Sequence, residues 1–125
     1  MSRAAVAFRT TGSATVGLGH LRRCLSLADA LRDRGAECHF IVTSGDRAQE
    51  YLSRRGITAH AVAQENDVDL CDTCAIAEEL KVHALVIDSY AVTEDSLSRP
   101  RVPVVAVLDD LADRFLPVNV VVNGA

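Results

Sequence analysis

No apolar run in the 125 residues approaches the roughly 20 that a membrane-spanning helix needs, so a transmembrane reading is excluded. Clustered cations are also missing. The 13 Lys and Arg are outnumbered by 17 Asp and Glu, for a formal charge of −4, and Arg22 with Arg23 and Arg54 with Arg55 are isolated pairs. Binding to a phosphate backbone needs grouped Lys and Arg, so nucleic acid is not an expected partner. The opening Met1-Ser2-Arg3-Ala4-Ala5-Val6 passes straight into a strand pattern without the apolar core of a secretory leader, which makes a cytoplasmic location the expectation. Repeats, low-complexity segments and linkers are likewise absent. A hydrophobic fraction of 49% with 24% charged residues suits one packed domain over 1–125.

Four cysteines invite a disulfide or zinc reading, but the chain lacks the pattern of a small, loop-rich secreted protein, and a reduced cytosolic state is the expectation. Cys24 and Cys38 fall in apolar patterns and are expected in the core. Cys71-Asp72-Thr73-Cys74 is a true pair, readable as a metal half-site or a redox pair at a helix start. A structural zinc site needs a second pair of ligands, and neither His60 nor His83 has ligand spacing relative to it. Ordinary cysteines with no bound metal are therefore the simpler reading.

Short apolar, often β-branched runs at 4–8, 38–43, 57–62, 84–87, 104–108 and 118–122 have the length of buried parallel strands. Helical spacing fills the gaps. Over 20–34, Leu21, Cys24, Leu25, Ala28 and Leu31 recur every three or four residues, and Arg22, Arg23, Asp29, Arg32 and Asp33 lie largely on the other side. Gly35 closes that helix. Weaker patterns predict helices at 46–55, 72–81 and 93–98, with Gly56 after the first of these. Strands alternating with helices specify an α/β fold: a doubly wound, mainly parallel, Rossmann-like sheet with helices on both faces. Ligands in such sheets bind beyond the carboxyl ends of the strands, at the point where strand order reverses. With the usual order 3-2-1-4-5, the loop after strand 1, Asp88-Ser89-Tyr90 after strand 4 and Asp109-Asp110 after strand 5 are the candidates.

The segment 9–19 between the first strand and the longest helix is rich in Gly, Ser and Thr, so its backbone N–H groups can approach an anion or a sugar hydroxyl. Gly12-x4-Gly17 is followed by Leu18-Gly19 instead of Lys-Ser/Thr, which excludes a Walker A loop. Gly17-Leu18-Gly19 leads after two residues to Arg22, not to a third glycine, which argues against a dinucleotide fingerprint. What remains is Gly-x-Gly-His at a helix start, where the helix dipole disfavours an imidazolium and His20 suits a general base. A surface histidine decorating the first turn is the alternative. Asp88 can orient or charge-balance a base and Tyr90 can hydrogen-bond a sugar or a water; capping is the alternative for Asp88 and for Asp109-Asp110, which otherwise would contact a metal or sugar hydroxyls.

Phe8-Arg9, Ser13, Val16-Gly17-Leu18-Gly19-His20-Leu21-x-Arg23-Cys24-Leu25-x-Leu27-Ala28, Val86-Ile87-Asp88-x-Tyr90 and Leu108-Asp109-Asp110-Leu111-Ala112-Asp113-Arg114 together resemble the UDP-2,4-diacetamido-2,4,6-trideoxy-β-L-altropyranose hydrolases of pseudaminic acid biosynthesis. The short form, Gly-x-Gly-His before a helix, is shared with glycosyltransferases of the two-domain type B fold. The resemblance implies an N-terminal half of such an architecture and a hydrolysis without metal or cofactor, in which water attacks the anomeric carbon of a UDP-sugar and UDP leaves. It makes His20 the catalytic residue and assigns Arg9, Ser13, Gly17, Gly19, Asp88, Tyr90 and Asp109 to substrate binding. Family members carry Arg-x-Asp after the first strand, where this chain has Arg9-Thr10-Thr11. They also carry a second α/β domain that binds most of the nucleotide; 1–125 matches only the first, so a separate or missing C-terminal partner is expected. A glycosyltransferase acceptor domain and a non-catalytic sugar-binding or partner domain are the competing readings.

Overall fold

A computed structural model describes residues 3–10, 19–63, 70–88, 101–108 and 120–122. Within them the chain runs β1 (Ala5–Thr10), α1 (Gly19–Asp33), β2 (Glu37–Thr43), α2 (Arg47–Arg54), β3 (Ala59–Val62), α3 (Cys71–Leu80), β4 (Ala84–Asp88), β5 (Val104–Leu108) and β6 (Val120–Val122). The six described strands form one sheet in the order β3-β2-β1-β4-β5-β6, and every neighbouring pair is parallel. This is the Rossmann-like, doubly wound order, with β1 and β4 side by side at the switch point.

Each strand alternates its side chains between two layers. Val6 and Phe8 of β1 join Leu21, Cys24, Leu25 and Ala28 of α1 and Ala48 and Leu52 of α2. Ala5 and Ala7 face the other way, into a cluster with Ala77 of α3, Leu85 and Ile87. All six residues of β1 are buried, which is why its sequence is almost continuously apolar. Phe8 and Phe40 are register partners with stacked rings 5.2 Å apart at 17°. Both are fully buried, each stabilising the sheet by about 2–3 kcal/mol, and the offset contact adds up to about 1 kcal/mol more. Among the described residues no helix is long and apolar enough to cross a membrane.

Helix ends explain where the elements depart from expectation. Asp46 is not in α2 but caps it, accepting from the Ala48 N–H at 3.3 Å. Ile57 and Thr58 are lost from β3 because the chain is still closing α2: Gly56 N–H bonds Ser53 O at 3.0 Å and Ile57 N–H bonds Leu52 O at 2.9 Å, with Gly56 at φ +73°. Gly35, at φ +90°, closes α1 in the same way, through Gly35 to Arg32 at 2.9 Å and Ala36 to Leu31 at 3.0 Å. The third helix repeats the motif without a glycine. Lys81 N–H bonds Glu78 O at 3.1 Å and Val82 N–H bonds Ala77 O at 3.3 Å, with Lys81 itself left-handed at φ 56°. The helix expected at 93–98 lies outside the described residues.

A Cβ in the left-handed region costs about 1 kcal/mol, so Lys81→Gly should raise the unfolding free energy by about that amount. Gly35→Ala should lower it by a similar amount. Urea denaturation midpoints check both signs.

Candidate functional site

The carboxyl end of β1 carries two polar residues in succession, and alternation sends them to opposite layers. Arg9 shares the face of Ala7. It is buried, and its guanidinium donates to Thr10 O at 2.7 Å and to Thr43 Oγ1 at 3.1 Å. Thr10 shares the face of Phe8, next to α1, and is the register partner of Asp88 at the end of β4. Both are fully buried.

A buried carboxylate needs a cation and hydrogen bonds to offset its desolvation. Asp88 receives them from α1. Arg23 Nε donates to Oδ2 at 2.6 Å and Nη2 donates to Oδ1 at 2.6 Å, the two-pronged geometry that makes arginine–carboxylate pairs strong. The Arg23 side chain keeps 32% of its surface in solvent while that of Asp88 keeps none. Cys24 Sγ adds a weaker donation to Oδ2 at 3.7 Å. Burial, followed by the negative charge of Asp88, pushes the Cys24 thiol from 9.0 up to about 12, against the smaller opposing effects of Thr10 and Arg23. Cys24 thus lies in the core, as its apolar setting predicted, and the structure adds that it donates from there to Asp88. Cys38, the other expected core thiol, is only half-buried and donates to Ala28 O at 3.7 Å.

Sequence periodicity assigns Arg23 to the polar side of α1; the structure turns its guanidinium back onto the sheet edge. A signal was present. Position 23 is three residues and position 24 four residues after His20, so all lie within one turn of the helix start. The partner of Arg23, 65 residues away, is not readable from that spacing.

Of the residues assigned to the site, Asp88, Arg9, Gly19 and the backbone of His20 are described. Gly19 and His20 are the first two residues of α1, at the carboxyl edge of the sheet beside β1 and β4. A Cβ at Gly19 would meet no described atom within 4 Å, so packing against the described residues does not require glycine there. Ser13, Gly17, Tyr90 and Asp109 lie outside the described residues, as do Asp110 and the side chain of His20. Arg9 and Asp88 do not converge: they belong to opposite layers. At the other edge of the sheet, an open groove of about 540 Å³ is lined by Cys38, His39, Ile57 and His60 among others. It sits at the amino ends of β2 and β3, away from the edge where ligands of parallel sheets bind. Among the described residues no group of three His, Cys, Asp or Glu side chains could hold a metal ion.

No protein-family model matches the chain, and neither does any curated protein.

Removing Arg23 strands a buried charge. Arg23→Ala should lower the unfolding free energy by about 3 kcal/mol, whereas Arg23→Met with Asp88→Leu should recover roughly half or more of that loss; the coupling is read from a urea double-mutant cycle. A second expectation concerns pH. The folded chain holds the Cys24 proton to higher pH than the unfolded chain, so this contribution is complete below 9.0 and is lost as pH rises toward about 12. The stability difference between the wild type and Cys24→Ala should therefore shrink above pH 9 with a slope approaching about 1.4 kcal/mol per pH unit.

Proposed function

We propose that this chain is the histidine-bearing α/β domain of a nucleotide-sugar hydrolase that releases UDP from a diacetamido-trideoxy-hexose. The observation that carries the reading is the start of α1. Gly19-His20 opens the helix at the β1–β4 switch point, and the same helical turn is tied to the end of β4 by Arg23 and Asp88. The resemblance of the Gly-x-Gly-His-x-x-Arg-Cys-Leu stretch to UDP-sugar hydrolases supplies the substrate class.

In this reading His20 takes a proton from water as the water oxygen bonds to the anomeric carbon. The bond from that carbon to the diphosphate oxygen breaks, UDP leaves with the electron pair, and the anomeric configuration inverts. Arg23 and Asp88 act as positioning residues by holding the helix start against the sheet. Ser13, Gly17 and Gly19 offer close backbone approach to the substrate, and Arg9, Tyr90 and Asp109 complete its contacts. The uridine diphosphate is held mainly by a second α/β domain, in the same or a separate chain, and the reaction is cytoplasmic.

The test is UDP release by the full-length gene product from UDP-2,4-diacetamido-2,4,6-trideoxy-altrose without acceptor. His20→Ala should lower turnover about 100-fold or more while leaving the urea midpoint unchanged. Gly19→Ala should fold normally and raise KM. Release that requires an added acceptor would replace the hydrolase with a glycosyltransferase, and full turnover in His20→Ala would remove His20 as the base. Binding of the sugar nucleotide without turnover under any condition would leave a non-catalytic sugar-binding domain.

A further inference from the structure

The end of β1 holds a polar group that the proposed hydrolysis does not use. Thr10 is fully buried, and its Oγ1 has no hydrogen-bond partner among the described residues. A buried hydroxyl left unpaired lowers stability, because folding strips away its water and returns nothing. Valine has the same shape and would avoid that cost, so packing alone gives no reason for a threonine here. The groups around Thr10 are committed elsewhere. Its register partner Asp88 is held by both prongs of Arg23, and Cys24 directs its proton to the same carboxylate at 3.7 Å. Thr10 lies close enough to Cys24 to influence its thiol but is not in hydrogen-bonding geometry with it.

The position is the one at which a parallel sheet meets its ligands. Thr10 is the last residue of β1, at the β1–β4 switch point, and strand alternation puts it on the face of Phe8, beneath α1. Beside it on that face the paired charges of Asp88 and Arg23 balance, which suits an uncharged hydrogen-bonding group better than a phosphate. The stereochemistry of the proposed reaction agrees. Inversion puts the attacking water and the departing diphosphate on opposite faces of the sugar ring. A base at the start of α1 therefore leaves the ring, not the diphosphate, to the strand end beside it.

We propose that Thr10 is a specificity-determining residue of this site, its hydroxyl hydrogen-bonding a neutral substituent of the sugar ring, a hydroxyl or an acetamido; this rests on the hydrolase reading above. The bond is made only with substrate, so the hydroxyl lowers the stability of the free chain and strengthens the complex. With no water competing for it, a buried hydroxyl discriminates well: a sugar lacking the substituent leaves it unpaired and is rejected. Stability given up at a binding group is the expected trade-off at a functional position.

Thr10→Val and Thr10→Ser are compared with the wild type in the full-length gene product, by urea denaturation and by UDP release from UDP-2,4-diacetamido-2,4,6-trideoxy-altrose. Thr10→Val should raise the urea midpoint and yet raise KM about tenfold, with inhibition by free UDP unchanged. Thr10→Ser, which keeps the hydroxyl, should recover most of the loss in KM. A lower urea midpoint in Thr10→Val would show that the hydroxyl already has a partner within the fold, and would overturn the proposal whatever the chain catalyses. An unchanged KM in a Thr10→Val enzyme that still releases UDP would overturn it and leave the hydrolase standing. UDP inhibition weakened in step with KM would move the contact to the diphosphate and overturn the assignment to the ring. Wild-type protein that folds but releases no UDP would remove the hydrolase reading, and this inference with it.

Discussion

The buried carboxylate of Asp88 is the constraint on which the working edge of this sheet depends. Parallel register places it beside Thr10, at the end of the most buried strand, where water does not solvate it. A charge so placed is tolerated only with a matched cation, and among the described contacts that cation comes from α1. The first turn of α1 is thereby held over the β1–β4 junction. The glycine-rich segment between Thr10 and Gly19 then has both ends anchored, one by strand pairing and one by the ion pair. Ion pairs of this kind are seldom more stabilising than the apolar residues that could replace them. The arrangement is better understood as a device for position than for stability.

Strand alternation divides the polar residues of that edge into two sets. Thr10 and Asp88 face α1, whereas Arg9 reaches Thr43 on the opposite layer. Adjacent residues in sequence therefore serve different surfaces. A substrate contacting both the α1 start and Arg9 has to lie across the edge of the sheet, not within one layer. That is the geometry of a ligand seated above a switch point.

Most of the fold was legible because its determinants are local. Period-two and period-3.6 apolar patterns are written in consecutive residues, and Gly35 and Gly56 mark two helix ends through their backbone freedom. The third end, at Lys81, carried no such mark; hydrogen bonding to Ala77 and Glu78 imposes the left-handed conformation on a residue that does not favour it. The same closure shortened β3, since Ile57 completes α2 before the strand begins. In the site, His20 and Gly19 were legible as a motif and Asp88 as a residue ending a strand. The role of Arg23 was not, because helical periodicity sorts residues into apolar and polar sides and cannot tell which polar side chain will fold back onto a partner far away in sequence.

The three described helices all begin at the carboxyl edge, α2 behind its Asp46 cap, and the starts of α1 and α3 are built differently. The first turn of α1 is fixed by a two-pronged ion pair to a neighbouring strand, while α3 starts from a left-handed leucine with no side-chain cap. The proposed chemistry at an anomeric carbon would demand groups held within a fraction of an ångström, since misplacement forfeits much of the advantage of orientation. The start held by the ion pair is the one that carries Gly19-His20, so the position of that turn follows from the charge that the sheet places beneath it.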